Sequence, residues 1–289
     1  MSGETLAQSI LNGLMAGWIY VLVALGLTLV MSIMGILNLA HGELYMFGAY
    51  AAYYFCVSAG LHFLLALVIS MLLIGAMGIL LERFFFRPFR YGEFWPTVII
   101  AAGLMVLLQT TSLVTFGGST KVVTTPFPGV ITIAGVTLSW ERLIVIIVSI
   151  LFVAGLFLLI HRTKIGQAML AVSQDLEAAS LQGVNADHIS SVAMFLGCGL
   201  AAAAGSLMGA IFNLSPFMGS FALMKGIAVI ILGGLGSLTG AIIGGLILGF
   251  VDGIVPPLLS VHMASLIGFV VIILILQFRP QGIMGHAGP

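Results

Sequence analysis

The sequence predicts an all-α polytopic membrane protein. Three observations carry that reading. Of 289 residues, 61% are hydrophobic and 6% are charged, and mean hydropathy is +1.26; a soluble domain carries about 25% charged residues. The apolar residues fall in runs long enough to cross a ~30 Å hydrocarbon core as helices. Glu43 is the one Asp, Glu, Lys or Arg between residues 5 and 81. Net charge is zero, so no basic surface for nucleic acid and no acidic tail is expected. The start, Met1-Ser2-Gly3-Glu4, lacks the positive flank of a secretory signal, so no separable leader is expected.

The apolar runs lie at 9–36, 44–60, 61–82, 95–116, 142–160, 189–213, 226–251 and 260–279, which predicts about eight transmembrane segments. Two are interrupted by glycine. The first runs into Gly35-Ile36-Leu37-Asn38-Leu39-Ala40-His41-Gly42-Glu43, three polar side chains between two apolar stretches. A carboxylate at membrane depth costs roughly 2.5–3.5 kcal/mol on insertion scales, and such groups face a bundle interior or a watery path. The second, 226–251, holds Gly233, Gly234, Gly236 and Gly240 near its middle. Each weakens a straight helix by about 1 kcal/mol relative to alanine, so this segment is expected either to cross with a kink or to re-enter. Paired interruptions in two halves point to inverted repeats with a pathway between them. The alternative for 233–240 is close helix packing, as in the small-x3-small pairs Gly13/Gly17, Gly205/Gly209, Gly240/Gly244 and Gly245/Gly249. Cys56 and Cys198 lie in apolar runs and read as small buried residues rather than a disulfide.

Orientation follows the excess of Lys and Arg in cytoplasmic loops. Arg83, Arg87 and Arg90 mark 83–94 as cytoplasmic, and Arg162 and Lys164 mark 161–190. Loop 117–141 then faces outward. Its run Val130-Ile131-Thr132-Ile133-Ala134-Gly135-Val136-Thr137-Leu138-Ser139 alternates about a small turn and reads as a β-hairpin outside the bilayer. Arg279 falls outside if 226–251 crosses fully, and inside, as the charge rule prefers, if it re-enters.

Within 161–190, apolar residues at Ile165, Ala168, Met169, Val172, Leu176 and Ala179 have the spacing of one amphipathic helix, ended by Gly183 and Asn185. It carries few basic residues for a helix lying on lipid, so docking on a cytosolic partner is the favoured use.

Glu177-Ala178-Ala179 followed by Gly183 resembles the core of the cytoplasmic coupling loop in permease subunits of bacterial ATP-binding-cassette importers, without the later Ile-x-Leu-Pro part. The segment 35–43, Leu81-Glu82-Arg83-Phe84-Phe85-Phe86-Arg87-Pro88-Phe89-Arg90, the run Leu232–Ala241 and Phe278-Arg279-Pro280-Gln281-Gly282-Ile283-Met284-Gly285 occur in the same order in the permeases of branched-chain amino acid importers, and the resemblance covers essentially the whole chain. It implies one transmembrane permease domain over 1–289 in the bacterial inner membrane. It also implies partners: two ATPase subunits, a second related permease or a second copy, and a periplasmic binding protein. Asp175, Glu177, Ala178, Ala179 and Gly183 would then couple to the ATPase. The substrate stays open among branched-chain amino acids, urea, short amides and aromatic acids.

The sequence has no phosphate loop and no Cys or His metal motif, so no cofactor is expected on this chain, and any ATP is used by partner subunits. Two other readings remain open at this stage. One is a passive channel for a small neutral solute, the other an ion-coupled carrier using Glu43 and His41. Asn38, His41, Glu43 and Gln109 are the candidates for the substrate pathway. Glu43 could instead only tie down backbone N–H groups freed at the break. Thr110, Thr111 and Ser112 are expected to bond back to their own helix. Asp252 reads as a solvated cap, and Lys225 as a side chain snorkelling at the outer membrane edge.

Overall fold

A computed structural model describes residues 3–90, 94–123, 127, 129–133 and 136–285. Helices follow in the order α1 (Gly3–Met34), α2 (His41–Val57), α3 (Phe63–Leu81), α4 (Phe94–Phe116), α5 (Trp140–Arg162), α6 (Lys164–Gln174), α7 (Leu176–Leu181), α8 (Ala186–Gly209), α9 (Met218–Gly233), α10 (Leu238–Leu258) and α11 (Val261–Phe278). Between α4 and α5 a two-stranded hairpin pairs β1 (Val130–Ile133) with β2 (Val136–Ser139), Val130 opposite Ser139. That hairpin is the one expected from the alternation; its turn residues 134–135 lie outside the described residues.

Seven helices among the described residues are long and apolar enough to cross a membrane: α1, α3 with its extension to Phe89, α4, α5, α8, α10 and α11. The expected eight segments differ from this at two places. The run 44–60 becomes α2, with 17 residues, and 226–251 is not one segment. It divides into α9 and α10, whose facing glycines Gly233 and Gly240 bring the two backbones into contact beside the turn. The turn uses Gly234 and Gly236 at positive φ, 106° and 80°, and Ser237 caps α10 by accepting from Gly240 N at 3.1 Å. The chain therefore does not run as one kinked helix but reverses between two separate helices.

α1 is apolar on all sides, which marks a helix buried all round, and it is the central post. It runs antiparallel to α10: Gly253 and Gly249 meet Gly13 and Gly17 near one end, Gly245 meets Val21, and Gly236 lies near Ser32 at the other. Lipid tails are as apolar as side chains, so close packing of small residues drives such contacts in membranes. α8 does the same through its alanines and glycines. Gly48 of α2 abuts Ala202, the carbonyl of Tyr45 touches Gly205, and Gly78 of α3 faces Cys198. Both cysteines are free, Cys198 buried and Cys56 half-buried.

The hairpin marks one face of the molecule, where Thr137 N donates to Gln8 of α1 at 3.0 Å. The opposite face carries α6, the α9–α10 turn and the turn that follows α11. α6 and the α9–α10 turn border one cavity of about 620 Å³, whose lining includes His161, Ser173, Gly236 and Ser237. The C-terminal turn docks there too: Ile283 N and Met284 N donate to the carbonyls of Leu232 and Gly233 at 3.0 and 2.9 Å. Arg279 thus lies on the face that the arginine-rich loops define as inner, the side the charge rule prefers, by way of the α9–α10 reversal.

In a detergent melt, Gly249→Ala should destabilise by about 1–3 kcal/mol, the usual cost of overpacking, because its methyl would overlap the Gly17 backbone and lie 2.6 Å from the Gly13 carbonyl oxygen. Gly155→Ala on α5, where a methyl meets open space, should be neutral or slightly stabilising. Equal melting shifts for the two would contradict the α1–α10 packing.

Candidate functional site

α1 ends at Met34 with Gly35 at φ 67° and its N–H bonded to Met31 O at 2.9 Å, a left-handed C-terminal cap that glycine adopts without a Cβ clash. The chain then turns back along α1 through 36–40 without helix. Six residues of extended chain reach at most ~20 Å, enough to bring His41 back against the middle of α1. There His41 Nε2 donates to Val23 O at 3.2 Å, and its ring lies 3.0 Å from where a methyl on Gly26 would sit. α2 therefore begins inside the bundle rather than at its edge.

Asn38, His41 and Glu43 are all buried, at 0%, 0% and 1% exposure. They play different parts. Asn38 makes the turn: Oδ1 accepts from Ala40 N at 3.1 Å and its carbonyl accepts from His41 N at 3.2 Å. Ala40 O takes the N–H groups of Glu43 and Leu44. The N–H groups of Ala40, His41, Glu43 and Leu44 are thus satisfied by Asn38 and Ala40. Glu43 does not tie them down; both its carboxylate oxygens are buried and accept no hydrogen bond among the described residues. The Asn38 amide nitrogen and His41 Nδ1 are likewise unbonded.

Glu43 faces α9. Gly42 and Gly219 approach backbone to backbone, and a methyl on Gly219 would stand 2.6 Å from Gly42 O and 3.0 Å from Glu43 Oε2. The next residue, Ser220, accepts from Gln109 of α4 at 3.3 Å. Of the sequence candidates, Glu43 lies beside Gly219 of α9 and Gln109 reaches the adjacent Ser220, whereas His41 lies against α1 and Asn38 forms the turn before it. Beyond Gln109, α4 presents an open groove of about 890 Å³ lined by residues from Ile99 to Thr115. On it Thr111 and Thr115 bond back to their own helix at 2.7 and 2.5 Å, as does Ser112 to Gln109 O at 2.8 Å.

The sequence reading misjudged Asp252 and Lys225. Asp252 is no solvated cap and Lys225 does not snorkel to an edge. Lys225 of α9 and Asp252 of α10 pair at 2.7 Å, their side chains 12% and 16% exposed. Tyr20 of α1 donates to Asp252 Oδ2 at 2.6 Å, and the Lys225 ammonium lies over the Tyr20 and Phe221 rings, 5.6 Å from each centroid. Lys225 stands eight residues, or ~12 Å, from the inner end of α9, well inside the hydrocarbon span. The signal was present in the sequence, two opposite charges in apolar surroundings, but their separation of 27 residues gives no pairing until α9 and α10 fold back on each other.

The residues expected to couple to a partner lie together on the inner face. The loop forms two helices rather than the one expected, because Asp175 leaves helical geometry at φ −154°, ψ 108° and caps α7 by accepting from Ala178 N at 2.9 Å. Gly183 ends α7 at φ 85°, with its N–H on Ser180 O at 3.0 Å and Val184 N on Ala179 O at 3.1 Å. That pair of bonds is a Schellman motif. Asn185 does not end α7; it caps α8, accepting from His188 N at 3.1 Å. Ala179 is buried, Glu177, Ala178 and Gly183 are exposed, and Leu181 is 86% exposed.

A multi-pass helical bundle with two glycine breaks and an exposed inner-face helix pair has the organisation of a transport permease. Residues 9–276 match the family model described as branched-chain amino acid transport system / permease component, and the chain belongs to that family. It is 33% identical over 293 residues to the high-affinity branched-chain amino acid transport system permease protein BraD of Pseudomonas aeruginosa, covering 96% of this chain and 95% of that one. With the corresponding permease protein LivH of Escherichia coli K12 it shares 32% identity over 299 residues, again 96% and 95%. Among solved structures it resembles a chain of PsaBC from Streptococcus pneumoniae in complex with Fab, with a TM-score of 0.52 and 12% identity over 93% of this chain and 91% of that chain, a likeness of fold.

Asp252→Leu should destabilise the protein by about 3–5 kcal/mol, since it strands a buried ammonium, whereas Lys225→Met with Asp252→Leu should be far milder. A double-mutant cycle of detergent melts checks this; additive effects would mean that the two charges do not pair.

Proposed function

We propose that this chain is a membrane-spanning subunit of an ATP-driven importer of branched-chain amino acids in the bacterial inner membrane. It works with two ATPase subunits, a periplasmic binding protein and a second related permease or a second copy of itself. It binds no nucleotide or other cofactor; the partner subunits consume the ATP. The observation that carries the reading is the α6–α7 pair. It lies on the inner face, with a Schellman end and with Leu181 exposed, and a helix presented in this way suits docking into a partner's groove. The names of the relatives supply the substrate class.

Asn38, His41, Glu43 and Gln109 border the substrate path in this reading. An unbonded carboxylate within a bundle is expensive and serves no capping purpose here, because Asn38 fills that role. Gly42 and Gly219 hold α2 and α9 together backbone to backbone beside Glu43, so a displacement of α9 would carry this part of the cluster with it. A zwitterion passing there meets polar groups only briefly.

Co-expressed with its operon partners, the chain should purify with the ATPases. In proteoliposomes holding the binding protein, it should take up labelled leucine with ATP and not without. Gly183→Val should abolish ATP-driven uptake at normal membrane levels, because valine resists a φ of 85°. Uptake by this chain alone without nucleotide would overturn the reading. Full ATP-driven uptake by Gly183→Val would remove α7 from coupling.

Glu43→Gln should melt at or above the wild-type temperature, since it exchanges an unbonded charge for a neutral amide, yet lower leucine uptake at least tenfold. Unchanged uptake would take Glu43 out of the pathway.

A further inference from the structure

At the inner end of α3 the chain changes its winding. Glu82–Phe86 form a π turn and Arg87–Phe89 a 3-10 turn. In an α-helix, residues five apart lie ~140° apart around the axis. The wider π turn brings them onto one side, and Glu82 and Arg87 use that geometry. Arg87 Nε donates to Glu82 Oε1 at 3.1 Å and Nη2 to Oε2 at 2.8 Å, a bidentate pair. The Glu82 side chain is 0% exposed.

The pair does not stay within its own segment. Ser191 of α8 accepts from Arg87 Nη2 and donates to Glu82 Oε2, both at 2.8 Å. Arg90 pairs with Asp187 of α8 and lies 3.8 Å from Glu82 Oε1. Asp187 Oδ2 is 3.7 Å from Arg87 Nη1. Asp187 belongs to the first turn of α8, four residues beyond Gly183. The link between α7 and α8 is stiff, because Gly183 and Val184 bond back to α7 and Asn185 caps α8. A push on α7 therefore reaches the first turn of α8, and that turn is fastened to the end of α3. Further along, α3 and α8 touch closely at Gly75 and Phe195, and α8 carries α2 through Gly205 and Tyr45.

We propose that the Glu82, Arg87, Arg90, Asp187 and Ser191 network is the joint that passes displacement of α7 into the α3–α8 pair and from there to α2. These are positioning residues, and the proposal rests on the reading of α7 as the element that docks the ATPase. Removing one partner strands the buried Glu82 or Arg90 charge, so the network holds the α3 end and the start of α8 in one arrangement.

The test uses the complete importer with its binding protein in proteoliposomes, and reads labelled leucine imported per ATP hydrolysed. Asp187→Asn, at a half-exposed position, keeps size and hydrogen bonding and loses the charge. It should leave subunit assembly intact and ATP hydrolysis within about twofold, while leucine per ATP falls at least fivefold; Asp187→Glu should restore it. Ser191→Ala, which keeps every charge, should give a smaller loss in the same ratio. An unchanged ratio in Asp187→Asn overturns the proposal. So does loss of assembly with the ratio preserved in what remains, since the network would then only hold the fold. If Gly183→Val transports normally, the docking role of α7 fails instead, which separates the two readings.

Discussion

Backbone that leaves a helix inside a membrane must find its hydrogen bonds within the protein. That constraint shapes the break before α2, and the need to satisfy helix-end carbonyls shapes the second break at the inner face. At the first, Asn38 folds its side chain and carbonyl over the start of α2. At the second, the last carbonyls of α9 accept from Ile283 and Met284, more than forty residues later in sequence, so the C-terminal turn acts as a cap supplied from a distance. With the donors and acceptors satisfied in these ways, Glu43 is left over, and its position becomes informative about transport.

The same economy governs charge. Lys225 and Asp252 would each be intolerable alone in the hydrocarbon span, and they persist because α9 and α10 fold back on one another and Tyr20 completes the set. The pairing ties three helices together a turn and a half from Gly219, where α9 meets Glu43. The ion pair thus holds the middle of α9, and the glycine contact holds its first turn against α2.

Small residues make these contacts possible. Where α1 meets α10 and α8 meets α2, backbone lies against backbone, with no side chain to yield. Interfaces of that kind move as units, which is how a displacement at the inner face can reach the buried start of α2 through packed helices.

Much of this was legible in the sequence. Apolar run length determined the spanning helices, because the hydrocarbon thickness sets their length. The glycine clusters marked both breaks, because glycine is poor in helices and good at positive φ, and Gly183 announced the end of α7 for the same reason. The alternation in 130–139 marked the hairpin. Tertiary structure decided the rest. That 226–251 is two helices reversing direction depended on the Gly233–Gly240 contact and on a cap from the C-terminal turn, neither of them local. Asp175 splits the segment 164–181 through a side-chain cap on α7 that competes with continued helix. The partners of Asp252, Lys225, Glu82 and Asp187 are far away in sequence, and pairing across such distances is set by how helices pack, which periodicity does not encode.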